Sequence, residues 1–266
     1  MPFRDLHRAG DPLVLPNAWD FASAAALVDA GFRAIGTTSL GVAAASGRLD
    51  GHGVTLAPTI TLARQVSRLD CWFTVDIEAG FTTESAADDD MSTVDESKAV
   101  ADLVAELADI GAAGVNLEDG RPSGRLAPVD LQCTLIAAAK RAAPDLYLNA
   151  RTDTHWLGGR SLDEAITRCR SYVEAGADGV FVPGLTGRGD IRTVARAVGV
   201  PLNVLYHPGG LSVRELAGLG VARVSCGSLL FRAAVGTTVS TALAIARGEA
   251  VTADLPSYAD IQRMTG

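Results

Sequence analysis

The sequence predicts an α/β fold, a single-domain (β/α)8 TIM barrel over residues 1–266. The length fits one such barrel or two small domains. Short apolar runs rich in Val, Ile, Leu, Phe and Tyr recur along the chain, and each is typical of a buried strand. A helix, a glycine and a strand follow one another around Gly31, Gly111, Gly176 and Gly220. Because glycine readily takes the left-handed conformation that ends a helix, this recurrence indicates repeated βα units in a parallel sheet.

Strands and helices are predicted to alternate. The strands are Leu13–Leu15, Ala34–Thr37, Trp72–Val75, Gly114–Leu117, Tyr147–Ala150, Gly179–Val182, Leu202–Leu205 and Arg223–Cys226. The helices are Phe21–Asp29, Thr59–Arg68, Lys98–Asp109, Asp130–Arg141, Leu162–Glu174, Ile191–Val198, Val213–Leu219 and Leu229–Ala246. Such a series favours a closed barrel over a doubly wound sheet, which would need a glycine-rich phosphate turn where the chain reads PNAWD. Residues 247–266 are predicted to form a C-terminal extension that packs on the same subunit or on a neighbouring one.

The composition limits the classes of partner. The net charge of −8 and the lack of a basic patch argue against nucleic-acid binding. None of the four cysteines forms a CxxC pair, which is typical of reduced thiols in a cytosolic protein. The sequence shows neither a basic and apolar leader nor a run of 18 apolar residues, so it predicts a cytoplasmic protein with no membrane role.

Charged residues stand where three predicted strands end. Asp76 and Glu78 close one strand, Glu118 closes the next, and Arg151 follows the one after that. Since all strand C-termini face one mouth of a parallel barrel, these side chains are expected to converge. A buried charge is costly unless it is paired or bound to a metal. Carboxylates without a histidine pair favour Mg2+ or Mn2+ over Zn2+, and this pattern indicates an enzyme.

Other polar groups are predicted at the same mouth. Arg151 suits a substrate carboxylate or phosphonate, or an ion pair with Asp153 or Glu118, and these roles are compatible. The hydroxyl and N–H groups of Thr37–Gly41 could hold a carboxylate, and Asp50 lies in a Gly-rich loop that can fold over the mouth. Both lysines fall on predicted helices, which sets aside a Schiff-base aldolase.

Two loops on this face are long. The Gly- and Pro-rich loop Gly120–Pro128 (GRPSGRLAP) is predicted to be a mobile lid. The loop Phe81–Ser97 is interpreted as a solvated acidic loop or as a second lid, and its acidic residues are Glu84, Asp88, Asp89, Asp90, Asp95 and Glu96.

Taken in order, the motifs LPNAWD, TTSLG, LDGHG, VDIEAG, VNLEDG, NARTD and GVARVSCG resemble those of the isocitrate lyase/phosphoenolpyruvate mutase family. They run from Leu15 to Gly227 and so cover most of the chain. The resemblance implies a (β/α)8 barrel that binds Mg2+ and acts on α-keto or α-hydroxy acids. Members of that family make or break C–C or P–C bonds through a metal-held enolpyruvate.

The resemblance also implies roles for residues around the metal. Asp76 would be the principal ligand, and Glu78 and Glu118 would act directly or through metal-bound water. The family usually shows aspartate where Glu78 stands.

A second group would contact the substrate. Thr38, Ser39 and Leu40 would form the pocket for its carboxylate. Asp50 would match the aspartate that lies over the reacting centre, and Arg151 would match the substrate-binding arginine.

The departures from the family pattern concern the proton donor. Isocitrate and methylisocitrate lyases carry Lys-Lys-Cys-Gly after the equivalent of Glu118, and the mutases place a lysine there. This chain has neither Lys nor Cys in that loop, so Arg121 or Arg125 is expected to enter the site instead. Tyr206 and His207, after the seventh strand, are the remaining acid/base candidates.

The sequence therefore favours a Mg2+-dependent lyase or decarboxylase that cleaves a C–C bond of a small keto or hydroxy acid. The alternatives are a P–C bond mutase or hydrolase that acts on phosphonopyruvate or phosphoenolpyruvate, and a catalytically impaired homologue that only binds keto acids. A homo-oligomer, either a dimer or a tetramer, is expected.

Overall fold

A computed structural model describes residues 1–81, 93–158, 161–251 and 255–265. Nine strands, all parallel where paired, form one sheet in the order β1-β9-β8-β7-β6-β5-β4-β3-β2. The strands are β1 (Leu13–Leu15), β2 (Asn17–Ala18), β3 (Ala34–Thr37), β4 (Trp72–Asp76), β5 (Gly114–Glu118), β6 (Tyr147–Arg151), β7 (Gly179–Phe181), β8 (Leu202–Leu205) and β9 (Arg223–Ser225). Since Pro16 has no N–H to donate, it divides one strand position into β1 and β2. β1 pairs with β9 and β2 pairs with β3, which closes the predicted (β/α)8 barrel.

Helices surround the barrel. They are the 3-10 helix Phe3–Leu6, α1 (Phe21–Asp29), α2 (Ser39–Ala45), α3 (Leu56–Val66), α4 (Thr93–Ile110), α5 (Val129–Ala142), α6 (Leu162–Glu174), α7 (Arg188–Ala197), α8 (Val213–Gly218), α9 (Leu229–Ala246) and α10 (Tyr258–Thr265). The eight predicted helices are present, with ends shifted by a few residues in five of them. The short helix α2 was not predicted, because its seven residues (SLGVAAA) are too few to show a helical period.

The alternation of side chains along the strands separates an apolar layer from a polar interior. Val75, Leu117 and Leu148 point outward and pack against the helices. Asn116 and Asn149 alternate with them and point into the barrel, where Asn149 Nδ2 donates to Asn116 Oδ1 at 2.9 Å. The barrel therefore has a polar axis that leads to the C-terminal mouth.

The C-terminal segment packs on its own barrel through α10. Arg263 on α10 forms an ion pair with Asp29 at the end of α1, with an Nη1–Oδ1 distance of 2.6 Å. Packing of the extension on a neighbouring subunit stays a prediction.

Helix α9 is exposed or half-buried along its whole length. None of its 18 residues is buried. Its mean hydropathy of 1.6 would allow it to cross a membrane by length and composition alone, although Thr and Ser interrupt its apolar residues. The loop predicted over Phe81–Ser97 is shorter than expected, because α4 begins at Thr93 and contains Asp95 and Glu96. Glu84, Asp88, Asp89 and Asp90 lie outside the described residues.

Candidate active site

Three predicted site residues meet at the mouth of the barrel. Asp76, Glu118 and Arg151 are the last residues of β4, β5 and β6, and Glu118 lies beside Arg151 in the parallel register. Arg151 Nη1 lies 2.6 Å from Glu118 Oε2, and its Nε donates to Asp153 Oδ1 at 2.7 Å. The guanidinium also stands over the ring of Phe181, 5.7 Å from its centroid. The ion pairs that the sequence left open for Arg151 are therefore present.

The charges of this group do not balance. Burial raises the pKa of Glu118 well above its ordinary value, and Arg151 only partly opposes that shift. Burial alone would lower the pKa of Arg151, but Glu118, Asp153 and Asp76 raise it, so the arginine stays cationic. Burial also raises the pKa of Asp76. With three carboxylates around one guanidinium, an added cation would be stabilised here.

Asp76 has a free ligating atom. Its Oδ2 accepts a long hydrogen bond of 3.4 Å from the Ser39 N–H, whereas its buried Oδ1 finds no hydrogen-bond partner among the described residues. A buried carboxylate oxygen fits a Mg2+ or Mn2+ ion. The described residues contain no group of three or more His, Cys, Asp and Glu side chains arranged to hold a metal. A cation here would therefore have Asp76 as its protein ligand and oxygen atoms of water or substrate in its other positions.

Glu78 holds a loop. Its Oε2 accepts from the Gly53 N–H at 2.9 Å and its Oε1 accepts from the Thr55 hydroxyl at 2.5 Å. The residue is buried and has a left-handed backbone with φ of 50°, which is uncommon without glycine. These bonds fix the loop that carries Asp50, whose charge contributes to the raised pKa of Asp76 and of Glu78. Asp50 is exposed, and its predicted place over the reacting centre stays a prediction.

The predicted carboxylate pocket lies next to Asp76. Thr38 is buried and precedes the first residue of α2, Ser39, whose N–H points at Asp76. Leu40 follows on the same helix and is half-buried. The Thr37 hydroxyl accepts from the Asp76 N–H at 2.9 Å, which joins β3 to β4 at this level.

The loop Gly120–Pro128 forms a small hairpin. Gly120 and Leu126 make an antiparallel bridge, and the Arg121 N–H donates to the Arg125 carbonyl at 3.0 Å. Arg121 is half-buried, and its Nη1 donates to the carbonyls of Glu118 and Gly120 at 3.4 and 3.2 Å. Arg125 is exposed and donates to Ser123. The base of the predicted lid is thus held by hydrogen bonds, and of its two arginines only Arg121 turns toward the strand end.

Asp119 forms a buried network that the sequence reasoning missed. Its Oδ2 accepts from the Tyr172 hydroxyl at 2.7 Å and from Arg168 Nη1 at 3.2 Å. Its Oδ1 accepts from the Asp153 N–H at 2.8 Å. Because Asp153 in turn holds Arg151, this network connects α6 to the site. In the sequence, this network is indicated only by an acidic residue directly after Glu118. Its partners Arg168 and Tyr172 lie about 50 residues away on α6, so no local pattern shows them.

Known proteins resemble this chain over most of its length. The family model for phosphoenolpyruvate phosphomutase matches residues 3–246. An uncharacterized protein of Mycobacterium tuberculosis H37Rv is 41% identical over 263 residues, which cover 98% of this chain and 95% of that one. The 2-methylisocitrate lyase of Bacillus subtilis 168 is 33% identical over 209 residues, 75% of this chain and 64% of the lyase. A crystal structure of a candidate phosphonomutase from Burkholderia cenocepacia J2315 has a TM-score of 0.80 and 39% identity, and covers 90% of this chain and 96% of that one.

Proposed function

This chain belongs to the phosphoenolpyruvate mutase family, and on that premise we propose that it is a Mg2+-dependent lyase or decarboxylase that cleaves a C–C bond of a small α-keto or α-hydroxy acid. The observation that carries the proposal is the buried, unpartnered Oδ1 of Asp76 among an excess of carboxylates. Mg2+ bound there, or Mn2+ in its place, would polarise the substrate's C2 oxygen and stabilise the enolate.

The chain's own residues would bind and orient the substrate. The Ser39 N–H, with Thr38 and Leu40 beside it, would hold the substrate carboxylate. Arg151 would face the leaving group, already oriented by its ion pairs with Glu118 and Asp153. A fixed guanidinium costs little further ordering when the substrate binds.

Polar side chains at the rim of the site would assist the reaction. Asp50 lies on the loop held by Glu78 and would stand over the reacting carbon. Glu78 and Glu118 would accept hydrogen bonds from metal-bound water. Arg121 would stabilise negative charge that develops at the leaving group, and Tyr206 remains an alternative proton donor.

A substrate panel tests this function. The protein would be incubated with Mg2+ and with keto and hydroxy acids of three to seven carbons, and pyruvate release would be followed. We expect at least one substrate whose turnover is lost in EDTA. If no substrate turns over while oxalate, a planar mimic of the enolate, still binds with Mg2+, the protein is the catalytically impaired keto-acid-binding homologue.

A P–C bond mutase or hydrolase is the second candidate. It is favoured by Arg121, whose buried Nη2 finds no hydrogen-bond partner among the described residues and could meet a phosphonate. The same panel therefore includes phosphonopyruvate, with release of inorganic phosphate and formation of phosphoenolpyruvate as the two readouts.

We also propose that the protein is a cytoplasmic homo-oligomer, a dimer or a tetramer. Val235, Val239 and Leu243 lie four residues apart on one side of α9 and are 48%, 55% and 46% exposed. Contiguous exposed apolar surface of this kind marks a protein interface. Light scattering would give the mass, and Val239→Asp should reduce it to that of a monomer. Flotation of the wild-type protein with liposomes would instead indicate a membrane surface.

A further inference from the structure

The floor of the barrel, opposite the proposed active site, contains buried polar groups that the proposed reaction does not use. Arg223 opens β9, is 1% exposed and points into the barrel. Its Nη2 donates to Asn116 Oδ1 at 3.3 Å, but its Nε and Nη1 find no hydrogen-bond partner in the described part of the chain. Burial lowers the pKa of Arg223 to about 10, so at neutral pH it is still a cation.

Two more buried groups lie near this cation. Among the described residues the Tyr147 hydroxyl has no hydrogen-bond partner, whereas the ring of His7 interacts with the backbone of Phe3 and Arg4. The His7 and Tyr147 rings stack with centroids 4.2 Å apart. A β-carbon on Gly179 would lie 2.3 Å from the Tyr147 hydroxyl and 3.2 Å from Asn149 Oδ1, which places that hydroxyl inside the barrel. Because Asn149 and Arg223 both donate to Asn116, the hydroxyl and the guanidinium share the same small region.

These groups present donors rather than acceptors. Burial, together with the charge of Arg223, lowers the pKa of His7 to about 3, so the ring is neutral and adds no charge to the floor. Burial raises the pKa of Tyr147, so its hydroxyl keeps its proton. The carboxylate whose charge acts on Arg223 is Asp76 at the end of β4, and no ion pair joins the two among the described residues. A buried cation without a paired anion is costly, and a set of N–H and O–H donors around it suits an anion.

We propose that the barrel floor binds one monovalent anion of halide size between Arg223 and Tyr147. The N-terminal segment covers this site. Phe3 packs edge-on against His7 and Tyr147 at centroid distances of 4.9 and 5.6 Å, and Arg4 is tied to Asp178 by an ion pair of 3.0 Å. The bound anion therefore joins the N-terminal segment to the floor and stabilises the folded barrel without contacting the substrate site.

Melting temperature against halide concentration tests the site. The full chain would be measured at constant ionic strength while sodium gluconate, whose anion is too large to enter, is replaced stepwise by sodium chloride or bromide. We expect a rise that grows with the logarithm of the halide concentration and reaches about 5 °C at roughly one hundred times the dissociation constant. Arg223→Met should abolish the rise, yet it should still fold because it replaces the buried charge with an apolar chain of similar length.

Two further variants keep the outcome decisive. Tyr147→Phe removes only the hydroxyl. It should raise about tenfold the halide concentration that is needed for a given rise in melting temperature. Arg64→Met, a change at an exposed arginine, should respond as the wild type does. Crystals grown in bromide should show an anomalous peak between Arg223 and Tyr147. An equal halide response in the wild type and in Tyr147→Phe, or ordered water without a bromide peak at the floor, would overturn the proposal.

Discussion

A β-carbon on Gly120 would lie 2.3 Å from Oδ2 of Asp153, so the carboxylate of Asp153 rests directly against the backbone of Gly120. The other oxygen of that carboxylate holds Arg151 Nε. Since Gly120 follows β5 and Asp153 follows β6, a glycine lets the two strand ends approach closely enough to orient the arginine. The orientation of Arg151 therefore depends on the absence of a side chain at Gly120, in the loop after β5.

Gly120→Ala should lower kcat/KM by about 10²-fold, the scale of loss expected when a catalytic group is displaced. The added methyl group would push Asp153 away and release Arg151. Steady-state kinetics on the substrate found in the panel would measure this loss. Gly189→Ala is the control, because a β-carbon there meets no atom within 4 Å. Equal kinetics in both variants would mean that Asp153 adjusts without moving Arg151.

Tyr172→Phe should destabilise the fold by about 1–3 kcal/mol, because it leaves a buried oxygen of Asp119 without one of its donors. Chemical denaturation would measure the free energy of unfolding. Tyr258→Phe, at a residue that is 83% exposed, should cause almost no change. If the loss in Tyr172→Phe were no larger than in this control, Arg168 alone would satisfy Asp119.

The sequence predicted the strands well and their ends less well. The strands β4, β5 and β6 each run one residue further than predicted, because Asp76, Glu118 and Arg151 were interpreted as the stop of an apolar run. Ionised residues can continue a strand when they pair with one another, and such pairing is invisible in a single apolar window. The convergence of these residues was nevertheless predicted, because parallel strands fix which end of each strand meets the others.

The supporting contacts of the site could not be predicted. Glu78 bonds to residues 23 and 25 positions earlier, and Asp119 bonds to residues 49 and 53 positions later. No local pattern encodes such pairs, because each depends on how a loop or helix returns to the barrel. The motif containing Glu78 therefore indicated a metal ligand, whereas the structure shows both of its oxygens bonded to the Asp50 loop.

Asp76→Asn should abolish tight binding of Mn2+ while leaving cooperative unfolding intact. The amide keeps the shape of the side chain but loses the charge that a divalent cation needs. Titration calorimetry would compare this variant with Asp102→Asn, a change at an exposed residue of α4. Equal Mn2+ affinity in the two variants would exclude Asp76 as the principal ligand.

His7 should make the protein sensitive to mild acid. Its pKa is about 3 in the folded state and about 6.5 in the unfolded chain, so below pH 6.5 the unfolded state binds more protons. The stability that neutral His7 contributes is therefore complete above pH 6.5 and is lost as the pH falls toward 3. Between pH 6.5 and 5 the loss should reach about 2 kcal/mol. Urea denaturation at fixed chloride would measure it, and His7→Phe should remove this part of the pH dependence. An unchanged slope in that variant would mean that other groups cause the acid sensitivity.

The hairpin arginines should differ in their effect on catalysis, although they lie four residues apart in one loop. Arg121 is half-buried beside Glu118, whereas Arg125 is exposed and bonds only within the hairpin among the described residues. If the hairpin closes over the substrate as a lid, Arg121→Ala should lower kcat/KM by roughly 10²-fold. Arg125→Ala, the matched control, should change it by no more than about twofold, because an exposed arginine that bonds only to its own loop has little to lose. Each variant should melt close to the wild type, since backbone hydrogen bonds rather than arginine side chains hold the base of the hairpin. A larger loss in Arg125→Ala would mean that the hairpin turns over on closing and brings its exposed arginine inward, and equal, small losses would mean that neither arginine acts on the substrate.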